Sequence, residues 1–358
     1  MIIKNIDITG FKSFPKKSIP LSNLTLLSGL NNSGKSSVIQ SLRMFQAGIE
    51  RNSPYLKDCG YLEQIRSKFV SPTSNVSFNL TYEDGSTTFL EINESNYRAG
   101  YFGQHITYIG ADRLGPQRYL QMTSNLDDPI TGDQGEFIYD YIDKHIRFNF
   151  IAPEPLFHPS AKSATFEYQL KGWLNEIAPG AELDIYTDNK SLTSTAQIDG
   201  FMPTNVGFGL SYTLPILAAV LGAVSRPETY EGLPSWLELN QYAKDEMGQI
   251  LLIENPEAHL HPSGQTAMGI FLAKAAACGI QVIVETHSDH VMDGVRLAVK
   301  EQVVTPSQVE IHFFKKDSEG RSQLETPKID EQGKMEFWPV GFFDQTLINR
   351  SKLAKRGR

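Results

Sequence analysis

The chain is poor in cysteine. Cys59 and Cys278 are its only two in 358 residues. That excludes a disulfide framework and fits a reducing compartment, so the expected location is the cytoplasm. No apolar run reaches the ~18 residues of a membrane span, so no membrane partner is expected. The opening Met1-Ile-Ile-Lys-Asn5 lacks a charged stretch followed by an apolar one, so no secretory leader is expected. Positive charge is in deficit: the net charge is −8, which argues against a uniformly basic nucleic-acid coat. The basic clusters Lys12/Lys16/Lys17, Lys315/Lys316 and Lys352–Arg358 read as solvated faces or a frayed end. Sustained heptads, internal repeats and low-complexity segments are missing, so long coiled-coil arms are not expected.

What is present is a complete phosphate loop. Gly29-Leu-Asn-Asn-Ser-Gly-Lys-Ser36 fits G-x-x-x-x-G-K-[ST], after an apolar strand (Asn23–Ser28) and before a helix (Ser36–Gln46). Gly29 and Gly34 let the backbone turn its N–H groups inward as an anion nest. Asn31, Asn32, Ser33 and Ser37 complete the surroundings of the phosphates. Lys35 is placed for the β- and γ-phosphates of ATP. The Ser36 hydroxyl is placed for Mg²⁺, and the helix offers its positive end.

The rest of the chain frames this loop. Met1–Phe11 alternates as a strand, Val76–Tyr82 and Thr87–Ile92 form a hairpin around Glu83–Ser86, and His105–Ile109 is a short strand. Residues 112–204 are punctuated by Gly and Pro, with helices predicted at Gly135–Arg147 and Ala164–Ile177. They read as a mostly helical lobe inserted between residues 1–111 and 205–358. A helix is predicted from Ser211. Gln249–Ile253, the helix Ser263–Cys278 and Gln281–Glu285 read as a β-α-β unit of a buried parallel sheet, and Val309–Phe314 as a last strand.

Two further stretches carry chemistry. Glu254 closes a buried apolar strand, a costly place for a carboxylate unless a cation neutralises it. Mg²⁺ on ATP is that cation, which makes Ser36 and Glu254 the expected metal pair. His287 lies just beyond the neighbouring strand end, where open α/β sheets bind ligands. Gly209 and Ser211, in Val206-Gly-Phe-Gly-Leu-Ser211, precede a helix and offer a second anion site. A second site makes sense if it reaches the ATP of a partner copy across a homodimer.

In this order, the motifs resemble the ABC-type ATPases, and within them the branch of RecF, the SMC heads and the overcoming-lysogenization-defect ATPases. Glu254-Asn-Pro-Glu-Ala-His-Leu-His-Pro262 resembles that branch's Walker B and D-loop block, and Thr286-His287-Ser288 its switch. Gly10-Phe-Lys-Ser-Phe14 is similar to the SMC loop whose basic residue touches phosphate, which implies that role for Lys12. Gly110–Pro116, Glu254–Glu257 and Trp338–Gln345 are similar to a family of short stand-alone prokaryotic ATPases.

The resemblance implies an ABC-type α/β head with an antiparallel subdomain and an inserted helical lobe. It implies an ATPase that dimerises around ATP and controls a separately encoded effector, a nuclease or other toxin, in defence or DNA maintenance, with DNA a further candidate partner. Position 255 departs from the branch: Asn255 stands where most members carry the water-polarising Glu. An amide cannot take a proton, and loss of such a base costs ~10²–10⁴ in rate. Glu257 is then the candidate for that work, or the chain is a nucleotide-gated module with little hydrolysis. After His287 no Asp/Glu cluster at metal-ligand spacing follows, so the chain is not expected to cut nucleic acid. The Leu-Ser-Gly-Gly-Gln signature of transporters is missing. Arg113 reads either as facing nucleotide or as salt-bridged to Asp112 or the lobe. Trp338–Gln345 either packs back on the domain or docks a protein.

Overall fold

The computed structural model describes the chain apart from residues 52, 58, 124–128, 234–236, 238–247, 342–344 and 355–358. Part of Trp338–Gln345 and of the basic tail therefore lies outside the described residues.

The main sheet has six strands. They are β3 (Leu24–Gly29), β7 (Gln104–Ile109), β13 (Gly248–Glu254), β14 (Gln281–Glu285), β15 (Val309–Lys316) and β16 (Ser322–Glu325), in the order β16-β15-β3-β14-β13-β7. Only β16 runs antiparallel to its neighbour. The central strands are apolar throughout because both faces are covered. Their residues alternate between two cores. Leu251, Ile253, Val282 and Val284 face one; Leu252, Ile283 and Phe314 face the other.

The second of these cores is shared with an antiparallel sheet, β2-β1-β4-β5-β6. Its strands are β1 (Ile3–Phe11), β2 (Phe14–Pro20), β4 (Val76–Tyr82), β5 (Thr87–Ile92) and β6 (Tyr97–Ala99). β4 buries alternate residues, which is the half-covered pattern its sequence predicts. Between the sheets lies α1 (Lys35–Glu50), the helix launched by the phosphate loop. Its Phe45 meets Phe78 and Phe102.

The other core holds the inserted lobe. Both expected helices are there, α2 (Ile138–Arg147) and α3 (Phe166–Ile177). Two small sheets accompany them, which the pattern did not announce. One has the order β10-β11-β8, with β8 (Leu120–Gln121), β10 (Leu183–Asp188) and β11 (Thr193–Ile198). The other pairs β9 (Phe150–Ile151) with β12 (Arg226–Pro227). The lobe is not detached from the head. Trp173 of α3 packs at 4.9 Å on Phe271 of α5 (Pro262–Ala277), and both lie in the core that includes α4 (Phe208–Val224). α4 is apolar all round, as a buried helix is, and carries Pro215 in its interior. α6 (Asp289–Lys300) follows β14, capped by the Ser288 hydroxyl, which accepts from Val291 N–H. Among the described residues no helix is long and apolar enough to cross a membrane.

The topology places three strand ends side by side. β14 pairs with both β3 and β13, so Glu254 stands in register with Glu285, and Glu285 with Leu27. The phosphate loop leaves β3 at the same edge.

Candidate functional site

Close packing fixes the phosphate loop. Gly29 (φ 133°) and Gly34 (φ 111°) take backbone conformations that side chains rarely adopt. A Cβ on Gly29 would come within 2.1 Å of the Phe314 carbonyl oxygen, and one on Gly34 within 2.7 Å of Phe14. The Ser33 hydroxyl donates to the Leu30 carbonyl at 2.6 Å, and the Ser322 hydroxyl of β16 donates to the Ser33 carbonyl. Ser33 thus shapes the loop through a buried side chain. Lys35 is folded back, donating to the Gly29 and Leu30 carbonyls at 3.1 and 2.9 Å.

An open cleft of about 720 Å³ lies over this loop. Asn31, Asn32, Ser33, Gly34, Lys35, Ser36 and Ser37 line it, together with Lys12, Glu254, Asn255 and His287. Motifs up to 275 residues apart in the chain, at Lys12 and His287, therefore meet as expected. Arg66, Lys68 and Lys316 add positive charge around it. The Lys12 amine donates to Gln40, and burial lowers its pKa. Burial, then Lys35, lowers that of His287. Such an imidazole is neutral at pH 7, a hydrogen-bond donor and acceptor rather than a cation.

Glu254 sits at the end of β13. Burial, and secondly the charge of Glu285, pushes its pKa up to about 7, against hydrogen bonds from the Tyr108 hydroxyl and Ala111 N–H. Glu285 is the residue that the motif reading missed. It lines the same cleft, accepts from the Ser36 hydroxyl at 2.7 Å and lies 3.7 Å from the Lys35 amine. Its signal was available: a carboxylate ending an apolar strand, as at Glu254. A hydroxyl and two carboxylates are hard oxygen donors, and Ser36, Glu254 and Glu285 share one cleft with a lysine and an anion nest. That set suits Mg²⁺ on a nucleotide. Among the described residues no three His, Cys, Asp or Glu side chains converge as a metal group.

Glu257 is held away from the cleft lining. Its Oε1 accepts from His287 N–H at 2.6 Å and its Oε2 from the Thr286 hydroxyl at 2.8 Å. Both oxygens are occupied, and Glu257 is not among the residues lining the cleft. It anchors the turn that carries His287. Asn255 has φ 47°, a left-handed conformation that Asn tolerates better than Glu.

Arg113 faces neither nucleotide nor Asp112. It is 3% exposed and donates at 2.7 Å to the carbonyls of Gly110, Glu254 and Asn255. Its guanidinium lies 5.3 Å from the Tyr212 ring of α4. Burial lowers its pKa to about 10.

The second anion site is placed differently from the expectation. α4 begins at Phe208 with Gly207 as its cap, and no side chain caps it. Gly209 lies in its first turn. Ser211 is the fourth helical residue and borders an apolar recess with Tyr139, Leu174 and Leu214, so it does not cap the helix. Neither Gly209 nor Ser211 lines the phosphate-loop cleft of its own chain. Phe208 and Tyr212 instead meet the ring of His259, at 5.7 and 4.6 Å. Trp338, half exposed, lies against Arg296 at 5.3 Å, which places the first residue of the Trp338–Gln345 stretch on the domain.

The sequence profile of the family described as "AAA domain, putative AbiEii toxin, Type IV TA system" matches residues 24–293. That of "Protein of unknown function (DUF3696)" matches residues 304–353. No curated protein matches the chain. Among solved structures it is similar to the SMC head domain from Thermotoga maritima, with 13% identity, 91% of this chain and 98% of that chain covered, and a TM-score of 0.45. An SMC head bound to the C-winged helix domain of ScpA gives 12% identity, coverage of 92% and 99%, and 0.49. An SMC head with an extended coiled coil, bound to the C-terminal domain of ScpA derived from Pyrococcus furiosus, gives 10%, 99%, 99% and 0.48.

Proposed function

From the premise that the chain belongs to this AAA-domain family, whose profile spans residues 24–293, we propose that it binds ATP with Mg²⁺ in the cleft and hydrolyses it to ADP and phosphate. The observation that carries this reading is the meeting of Lys35, Ser36, Glu254, Glu285 and His287 around one glycine-rich anion nest. The nest N–H groups and the Lys35 ammonium bind the phosphates. Lys12, which also lines the cleft, adds a second cation. Ser36 and the strand-end carboxylates would hold Mg²⁺, which supplies charge neutralisation on the phosphates when bound. His287, held by Glu257, donates or accepts a hydrogen bond at the cleft wall. Asn255 can orient a water but cannot take its proton, so turnover is slow.

Two copies close on the nucleotides. Gly209 and the free N–H groups at the start of α4 then face the γ-phosphate of the opposite copy. Support comes from their position outside the cleft of their own chain. Moving such an equilibrium from ~1% to ~99% closed takes about 5.5 kcal/mol of differential binding, within reach of several charge-assisted bonds on each γ-phosphate. By the same reading the closed pair controls a separately encoded effector, in prokaryotic defence or DNA maintenance.

Phosphate release by wild type and Lys35→Ala, with light scattering in the presence of a non-hydrolysable ATP analogue, tests this. Release abolished by Lys35→Ala and a doubling of mass with analogue are expected; equal release by both proteins refutes it. A second reading, a nucleotide-gated module, is favoured by Asn255. It would be supported by analogue-driven dimers without phosphate release.

A further inference from the structure

The cleft carries one more carboxylate than the motif pattern requires, and it stands in the more favoured position. β14, not β13, is the direct neighbour of the phosphate-loop strand β3. Glu285 ends β14 in register with Leu27, whereas Glu254 ends β13 one strand further out. The side-chain contacts repeat the difference. The Ser36 hydroxyl donates to Glu285 at 2.7 Å. Glu254 instead takes hydrogen bonds from Tyr108 and Ala111, on the side of the cleft away from β3.

We propose that Glu285, and not Glu254, is the carboxylate that holds the metal beside Ser36 when nucleotide is bound. The inference rests on the ATP-binding reading above. Its physical basis is the exchange of partners that nucleotide binding forces. Glu285 has a side chain only 9% exposed, and its one cationic neighbour within 4 Å among the described residues is Lys35, at 3.7 Å. Phosphates entering the nest compete for the Lys35 ammonium. A buried carboxylate stripped of its cation is costly unless another cation replaces it. The metal that arrives with the triphosphate is that cation, and Ser36 already points its hydroxyl at the oxygen that would share it. Glu254 stays on its own hydrogen-bond donors and is left as an outer member of the site.

The test reads metal dependence, not turnover. Affinity of the full chain for a fluorescent ATP analogue is measured in EDTA and in Mg²⁺, and Mn²⁺ binding to the analogue complex is followed by electron paramagnetic resonance. In wild type, Mg²⁺ raises nucleotide affinity. Glu285→Gln should cut that enhancement at least tenfold, weaken Mn²⁺ by a similar factor, and bind nucleotide in EDTA as well as or better than wild type, because a negative group facing phosphates has gone. Glu254→Gln, which removes the outer carboxylate and leaves Glu285 beside Ser36, should cut the enhancement by less than Glu285→Gln does. Glu285→Asp keeps the charge but withdraws it by one methylene; it should fall between, and it serves if Gln at this buried position does not fold. An enhancement within threefold of wild type in folded Glu285→Gln, or a loss in Glu254→Gln equal to or larger than that in Glu285→Gln, overturns the assignment. Wild type that binds nucleotide with no metal effect also overturns it, while the nucleotide reading stands. Wild type that binds no nucleotide removes both.

Discussion

Replacing Glu254 by glutamine should make the nucleotide-free protein more stable at pH 8 and leave it unchanged near pH 4.5. The folded carboxyl titrates at about 7 against an ordinary 4.5, chiefly because it is buried and secondly because Glu285 faces it. The native state therefore keeps a proton that the unfolded chain releases. Stability from this group is fully present below pH 4.5 and drains away as pH rises through about 7. A displacement of roughly 2.5 pH units is worth about 3 kcal/mol above that range. Glutamine has the same shape, carries no charge, and keeps an oxygen to accept from Tyr108 or Ala111. Urea unfolding in EDTA should then show a gain of about 2–3 kcal/mol at pH 8 and less than about 0.5 at pH 4.5. An equal gain at both pH values would mean that better packing, not charge, is responsible. A loss at pH 8 would mean that the buried carboxylate is not strained, and the reasoning would fail.

Three other substitutions separate positioning from chemistry. Glu257→Gln should keep phosphate release within about threefold of wild type, because the amide oxygen can accept from His287 N–H and its NH₂ can donate to the rotatable Thr286 hydroxyl; a base would lose ~10²–10⁴. Glu257→Ala, by contrast, strands both donors and should cost about 2 kcal/mol in urea unfolding. Arg113→Ala removes three buried hydrogen bonds, leaving the Asn255 carbonyl the Ala258 N–H at 3.2 Å, and should cost about 3–5 kcal/mol, with Arg113→Lys recovering less than half, since one ammonium cannot span three acceptors. At position 255, where φ is 47°, Asn→Gly should be nearly neutral and Asn→Glu should cost about 1–2 kcal/mol by thermal unfolding. Turnover gained by Asn255→Glu would have to be scored against that strain.

The legible parts of the chain were those whose physics is local. The phosphate loop announces itself because only glycine fits beside Phe314 and Phe14, and the parallel strands because burial on both faces leaves unbroken Ile, Leu and Val. β10 and β11 were hidden: half of Leu183-Asp-Ile-Tyr-Thr-Asp188 and Thr193-Ser-Thr-Ala-Gln-Ile198 faces solvent, so polar residues dilute the alternation. The placing of Glu257 was hidden for a different reason. Its place in the motif says that it is near the cleft, but only the backbone path shows the Thr286–His287 turn taking both its oxygens. Arg113 was undecidable in sequence, because a guanidinium that binds carbonyls leaves no acidic partner to find.

Arg113 also lies between the cleft and the start of α4. Two of its acceptors, the carbonyls of Glu254 and Asn255, belong to the strand end that borders the nucleotide cleft. Its third, Gly110, ends the strand β7 from which the lobe departs, and its face lies toward Tyr212 in α4. Tyr212 and Phe208 in turn enclose His259, four residues beyond Asn255. A displacement of the strand end carries Arg113 with it through these hydrogen bonds, of about 1–3 kcal/mol each, and so changes its packing against the Tyr212 ring at the start of α4. The start of α4 is the surface proposed to meet the second copy. Under the proposed dimer, Arg113 is the residue placed to join the cleft of one chain to the surface offered to the next.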